Sequence, residues 1–185
     1  MVVEKRDLSM EANVLAIALW YRIAAVLGLL LGGGAVLFAF DRLAPERQGG
    51  ARIATAVGMA GCVFFYGMGH YLARYSNAAR NVARLVTFLT ILGNFFAIIR
   101  PGGAIDRGHY AMAVLNAISI VWLVAVQWAL FNARTAQICT EEYRTLVHAN
   151  PDDKPPVFRS PYFTTPFALI ALSALIAGAS WYLRR

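Results

Sequence analysis

Tyr110-Ala111-Met112-Ala113-Val114-Leu115-Asn116-Ala117-Ile118-Ser119-Ile120-Val121-Trp122-Leu123-Val124-Ala125-Val126-Gln127-Trp128-Ala129-Leu130-Phe131 is a stretch of 22 residues without a single charge. Coiled as an α-helix at 1.5 Å per residue it reaches about 33 Å, enough to cross a hydrocarbon layer about 30 Å thick. Asn132 and Arg134 follow it and mark its exit into a polar region. The segment reads as a transmembrane helix over 110–132, and its neighbours repeat the pattern.

Upstream, residues 82–99 form a second such run, entered by Arg80 and Arg84 and stopped by Arg100-Pro101-Gly102-Gly103. Proline and paired glycines end a helix. A third run, 53–73, carries His70, Tyr71 and Arg74 at its end. The link Tyr75-Ser76-Asn77 is so short that the helices on either side must be antiparallel. Residues 41–52, with Pro45 and the Gly49-Gly50 pair, read as a polar turn. The first run, 14–40, is interrupted only by Trp20-Tyr21-Arg22. Its 27 residues measure roughly 40 Å as a helix, so its opening turns are expected at the membrane interface. Arg22 then snorkels to headgroup depth, which sets the span proper at 22–40. The run is too long for a cleavable signal peptide.

Downstream, 133–165 is the longest polar stretch. Its first half, 135–148, lacks Pro and Gly and sets Ile138, Tyr143, Leu146 and Val147 among Glu141, Glu142 and Arg144, the pattern of a short amphipathic helix at the membrane surface. Pro151, Pro155, Pro156 and Pro161 make the second half an extended connector. The last apolar run, 166–183, ends in Trp181, Tyr182, Arg184 and Arg185 and reads as a fifth span, a helix lying in the interface being the alternative. The expected fold is therefore all-α: one integral membrane domain of five transmembrane helices, with four as the alternative, plus a short interfacial helix.

The composition agrees. Of 185 residues, 59% are hydrophobic and only 15% charged, with a mean hydropathy of +0.55, too few charges to cover a water-soluble surface. The 17 Lys and Arg residues give a net charge of +7 but are dispersed through the loops without forming a patch, which argues against the clustered footprint that nucleic acid requires. Ten lie on the side of the N-terminus (Lys5, Arg6, Arg22, Arg74, Arg80, Arg84, Arg134, Arg144, Lys154 and Arg159) and seven on the other (Arg42, Arg47, Arg52, Arg100, Arg107, Arg184 and Arg185). That bias places the N-terminus in the cytoplasm and the C-terminus outside it.

Residues able to carry chemistry are few. His70, His109 and His148 stand at span ends or in loops, where they cannot face one another as haem ligands, and no His or Cys pair has a zinc spacing. Cys62 lies in an apolar run and Cys139 in a polar one, so no disulfide is expected. No acidic or basic residue falls in the centre of a span, which argues against ion coupling. Nucleophiles lack a base at matching depth. No enzyme activity, cofactor or metal is expected, and a bound lipid is left open.

The neutral polar residues of the spans invite a structural reading. Asn94 and Asn116 share a depth in the antiparallel hairpin and are expected to pair through their amides, and Gln127 is a further neutral polar residue of the later helix. Small residues four apart, Gly28 and Gly32, Gly58 and Cys62, and Ala174 and Gly178, offer flat faces for close helix approach, either internal or toward a partner.

Ala79-Arg80-Asn81-Val82-Ala83-Arg84, Leu130-Phe131-Asn132 and Thr140-Glu141-Glu142-Tyr143-Arg144 are together similar to the Arg-Asn-x-Ala-Arg turn, the span exit and the following polar segment of small, uncharacterised bacterial four-span membrane proteins. The resemblance covers about residues 14–144. It implies a cytoplasmic turn at Arg80 and Arg84 but brings no activity with it. The appended fifth helix departs from that pattern.

The expected function is a non-catalytic accessory or scaffold subunit of a bacterial inner-membrane complex, with membrane lipids and other membrane subunits or copies of itself as partners. Two alternatives are a small transporter or channel for an uncharged or lipid-like molecule lined by Asn94, Asn116 and Gln127, and a pigment- or quinone-contacting subunit of an electron-transfer complex.

Overall fold

The computed structural model describes residues 6–38, 45–99 and 110–182. Among these it is helical throughout, without a strand: α1 (Leu8–Phe38), α2 (Pro45–Leu72), α3 (Asn77–Ile99), α4 (Tyr110–Phe131), α5 (Ala133–Ile138), α6 (Glu141–Ala149), a 3₁₀ turn (Val157–Arg159) and α7 (Pro161–Tyr182). Four helices, α1 to α4, are long and apolar enough to cross a membrane. In α7, residues 161–176 form a shorter apolar stretch. The expected stop at Arg100-Pro101-Gly102-Gly103 and His109 lie outside the described residues.

Four boundaries differ from those read in the sequence. Residues 161–165 are helical, not extended connector: Pro161 opens α7, as proline can at a first helical position. Residues 45–52 are helical, not a turn: Pro45 opens α2 where its missing N–H would have had no partner, and Glu46 sits at the positive end of the helix dipole. The amphipathic stretch 135–148 is two helices, broken at Cys139 and restarted by Thr140, whose hydroxyl accepts from the Tyr143 N–H at 3.3 Å. Finally, α1 begins at Leu8, capped by the Asp7 carboxylate, which accepts from the Met10 N–H at 3.0 Å. Its opening turns pack into the bundle, where Ala12, Val14, Ala16, Ile17 and Ala18 are buried.

The core is concentrated at one end. It gathers Val14, Ile17 and Ala18 of α1, Met68 and Leu72 of α2, Ala79 and Ala83 of α3, Val126, Ala129 and Leu130 of α4, and Ile138, Cys139 and Tyr143 beyond it. Among the described residues, none of α2 before Met68, α3 after Thr87 or α4 before Val126 is buried. The helices pack chiefly as two antiparallel pairs, α1 with α2 and α3 with α4, joined at the core end, with α7 laid against α1 and α4.

Glycine sets the approach within the first pair. A methyl group added at Gly69 would stand 2.6 Å from the Ala18 carbonyl oxygen, one at Gly28 would meet the Cys62 sulfur at 2.5 Å, and one at Gly32 would meet Met59 at 3.2 Å. Gly28 and Gly32 thus face α2 inside the molecule. Such contacts let backbones close to the distance where dispersion holds helices together in lipid.

Candidate functional site

At the core end stands a carboxylate that the sequence does not single out. Glu11, in the first turn of α1, is fully buried. Its Oε2 accepts from Arg6 Nη2 at 2.7 Å and from the Tyr75 hydroxyl at 3.0 Å; its Oε1 accepts from Arg6 Nε at 3.0 Å and from the Tyr143 hydroxyl at 2.6 Å. The Tyr143 oxygen in turn accepts from the Asp7 N–H at 2.7 Å, and Arg6 Nη1 reaches the Asn150 carbonyl at the end of α6. One polar knot therefore joins the start of α1, the turn between α2 and α3, and both ends of α6.

The knot is held under local strain. Tyr75 has φ of 55°, the left-handed region that a side chain with a Cβ enters only at a cost of about 1–3 kcal/mol. The turn is closed by Tyr75 N–H to the Leu72 carbonyl at 2.9 Å and Ser76 N–H to the Tyr71 carbonyl at 3.2 Å. Ser76 then caps α3. Burial, followed by the charge of Glu11, pushes the Tyr75 hydroxyl well above the ordinary phenol range; burial and the hydrogen bond to Glu11 do the same to Tyr143. Both stay protonated and donate. With four donors on two oxygens the carboxylate has no lone pair left for a substrate proton or a metal. Among the described residues no group of three or more His, Cys, Asp or Glu is placed to hold a metal ion.

Next to the knot lies an open cavity of about 490 Å³, lined by Ala73, Arg74 and Tyr75 from the α2–α3 turn and by Arg144, Val147 and His148 from α6. Arg144 Nε is buried without a hydrogen-bond partner, as is Nε of Arg80. Cys139 lies close enough to both guanidinium groups to feel their charge, yet burial dominates and pushes its thiol up to about 11. Arg84 packs over the Phe131 ring at 3.5 Å. The single ion pair among the described residues is Arg6 with Glu11, so Arg74, Arg80, Arg84 and Arg144 have no carboxylate partner there.

The remaining polar side chains mostly tie helices to themselves or to neighbours. Asn94 Nδ2 donates to the Thr90 carbonyl of its own helix at 3.0 Å, and not across the hairpin to Asn116. Thr90, Ser119 and Ser173 likewise donate to carbonyls four residues back. Asn116 is half-buried on α4. Gln127, also half-buried, keeps its Oε1 buried without a partner beside Asn81 and Arg84. Ala174 is exposed on α7, with Gly178 one turn on. Across elements, Tyr21 and Thr87 share a hydrogen bond of 2.7 Å between α1 and α3, and Ser160, which caps α7, donates to Asn13 of α1 at 2.8 Å. Trp20 Nε1 donates to the Phe163 carbonyl, one residue on from the carbonyl that Pro166 leaves without its usual N–H.

No protein-family model, curated protein or solved structure matches this chain.

Proposed function

We propose that this chain is a non-catalytic accessory or scaffold subunit of a bacterial inner-membrane complex, its knotted end in the cytoplasm. The observation that carries the reading is the contrast between the two ends of the bundle. At one end a saturated polar knot fixes α1, the α2–α3 turn and α6. Toward the other, the spans turn outward Leu30 and Leu31 of α1, Ile53 and Val57 of α2, Leu89 and Phe96 of α3, and Val114 and Val121 of α4, all exposed.

A fold rigid at one end and open along its helices suits a platform for other helices. The carboxylate that could serve in proton chemistry is fully engaged, and Asn94, one of the amides that could line a polar path, bonds within its own helix. The arginines without carboxylate partners at the knotted end favour the cytoplasmic side. Purification from the native membrane in mild detergent, followed by native mass spectrometry, tests the reading: larger subunits are expected to arrive with the chain, and a stable lone monomer overturns it.

A further inference from the structure

We infer that the cavity between the α2–α3 turn and α6 is a binding site for a phosphate group, with Arg74, Arg144 and His148 as the recognising side chains. The cavity of about 490 Å³ is walled on two sides by cations and contains no acidic side chain in its lining. Arg144 lines the cavity, and its guanidinium Nε is buried with no hydrogen-bond partner in the protein. A buried guanidinium nitrogen without an acceptor is costly, and a planar fork of N–H donors matches the oxygens of a phosphate.

The site is also built before any ligand arrives. Arg144 follows Tyr143, which is pinned by Glu11, and Arg74 precedes Tyr75, which is pinned by the same carboxylate. The knot thus fixes the spacing of the two arginines from opposite walls, and it neutralises Glu11 with Arg6 so that no free negative charge stands behind the site. The α2–α3 turn closes two membrane-crossing helices, which places the cavity at headgroup depth. A phosphate there can belong to a phospholipid headgroup or to a soluble phosphate, and the two share the same recognition.

The test uses the full chain in mild detergent with phosphatidic acid as the probe, read by native mass spectrometry, with phosphatidylcholine as the comparison lipid and inorganic phosphate as the competitor. The wild-type chain is expected to retain phosphatidic acid over phosphatidylcholine, and the Arg74→Gln, Arg144→Gln double variant to lose about tenfold or more in affinity, the effect of one charge-assisted contact. Arg47→Gln, on α2 far from the cavity, is expected to bind as wild type does. Arg74 is exposed, so the single Arg74→Gln variant keeps the test decisive if the double variant fails to fold. Displacement by inorganic phosphate identifies a soluble ligand as the natural occupant; retention in its presence identifies the lipid. Equal binding by wild type and the Arg74→Gln variant, or no preference for phosphatidic acid, overturns the assignment.

Discussion

Glu11, Tyr75 and Tyr143 hold opposite sides of the same end through hydroxyls that only donate while protonated. Replacing Tyr143 by Phe removes a donor to Glu11 and the acceptor for the Asp7 N–H, and is expected to destabilise the protein by about 1–3 kcal/mol in a detergent unfolding titration. Tyr75→Phe removes one donor and leaves the backbone strain in place, so it should cost less than Tyr143→Phe; if the two cost the same, the second hydrogen bond of Tyr143 contributes nothing. The pH dependence has a definite sign. Both phenols are raised in the folded state, so the native protein binds more protons than the unfolded chain once pH passes the ordinary tyrosine value of about 10. The stability they contribute is complete below that pH and is lost as the pH rises above it. Tyrosinate absorbance on alkaline titration checks this: Tyr75 and Tyr143 should ionise late, together with unfolding, and each Tyr→Phe variant should remove one tyrosine from the late step.

At the scale of the helices, the approach of α1 to α2 depends on glycines at the contact and not on glycines in general. Gly69→Ala brings a methyl group to 2.6 Å from a backbone carbonyl and is expected to cost about 1–3 kcal/mol, whereas Gly61→Ala meets nothing within 4 Å and should be neutral or slightly stabilising through its helix propensity. Unfolding of the two variants side by side measures the difference. The long helices were legible in the sequence because apolar length is a local property: the central runs of α3 and α4 lie where hydropathy puts them. The small-residue spacing at Gly28 and Gly32 was legible too, though not which helix it faces. Pro45 looked like a turn because proline marks both loops and helix starts, and only the following residues, helical in the fold, decide between them. The break at Cys139 escaped because a capping threonine inside a charged stretch gives a weak signal. Glu11 was missed for a deeper reason: it is one of five charged residues ahead of the first apolar run, and the tyrosines that desolvate it lie 64 and 132 residues away. A carboxylate one turn before an apolar run was the one hint available.

As a whole, the molecule is a bundle fastened at one end and left open along its helices. The 22-residue α7 extends about 33 Å and starts at the fastened end, so as a fifth span it carries the C-terminus to the opposite side. A reporter fused after Arg185 should then be active outside the cytoplasm and one fused before Met1 inside it; reporters on the same side would make α7 an interfacial helix and leave four spans. The cationic end and the phosphate cavity stand or fall separately from the partner surface, since lipid binding needs no second protein. Site-specific photo-crosslinking in the native membrane, from Val57 on α2 and Leu89 on α3, tests the central claim most directly, because both side chains face away from the protein and report what covers them. Discrete higher-mass protein adducts are expected from both positions, whereas adducts to lipid alone would overturn the platform reading.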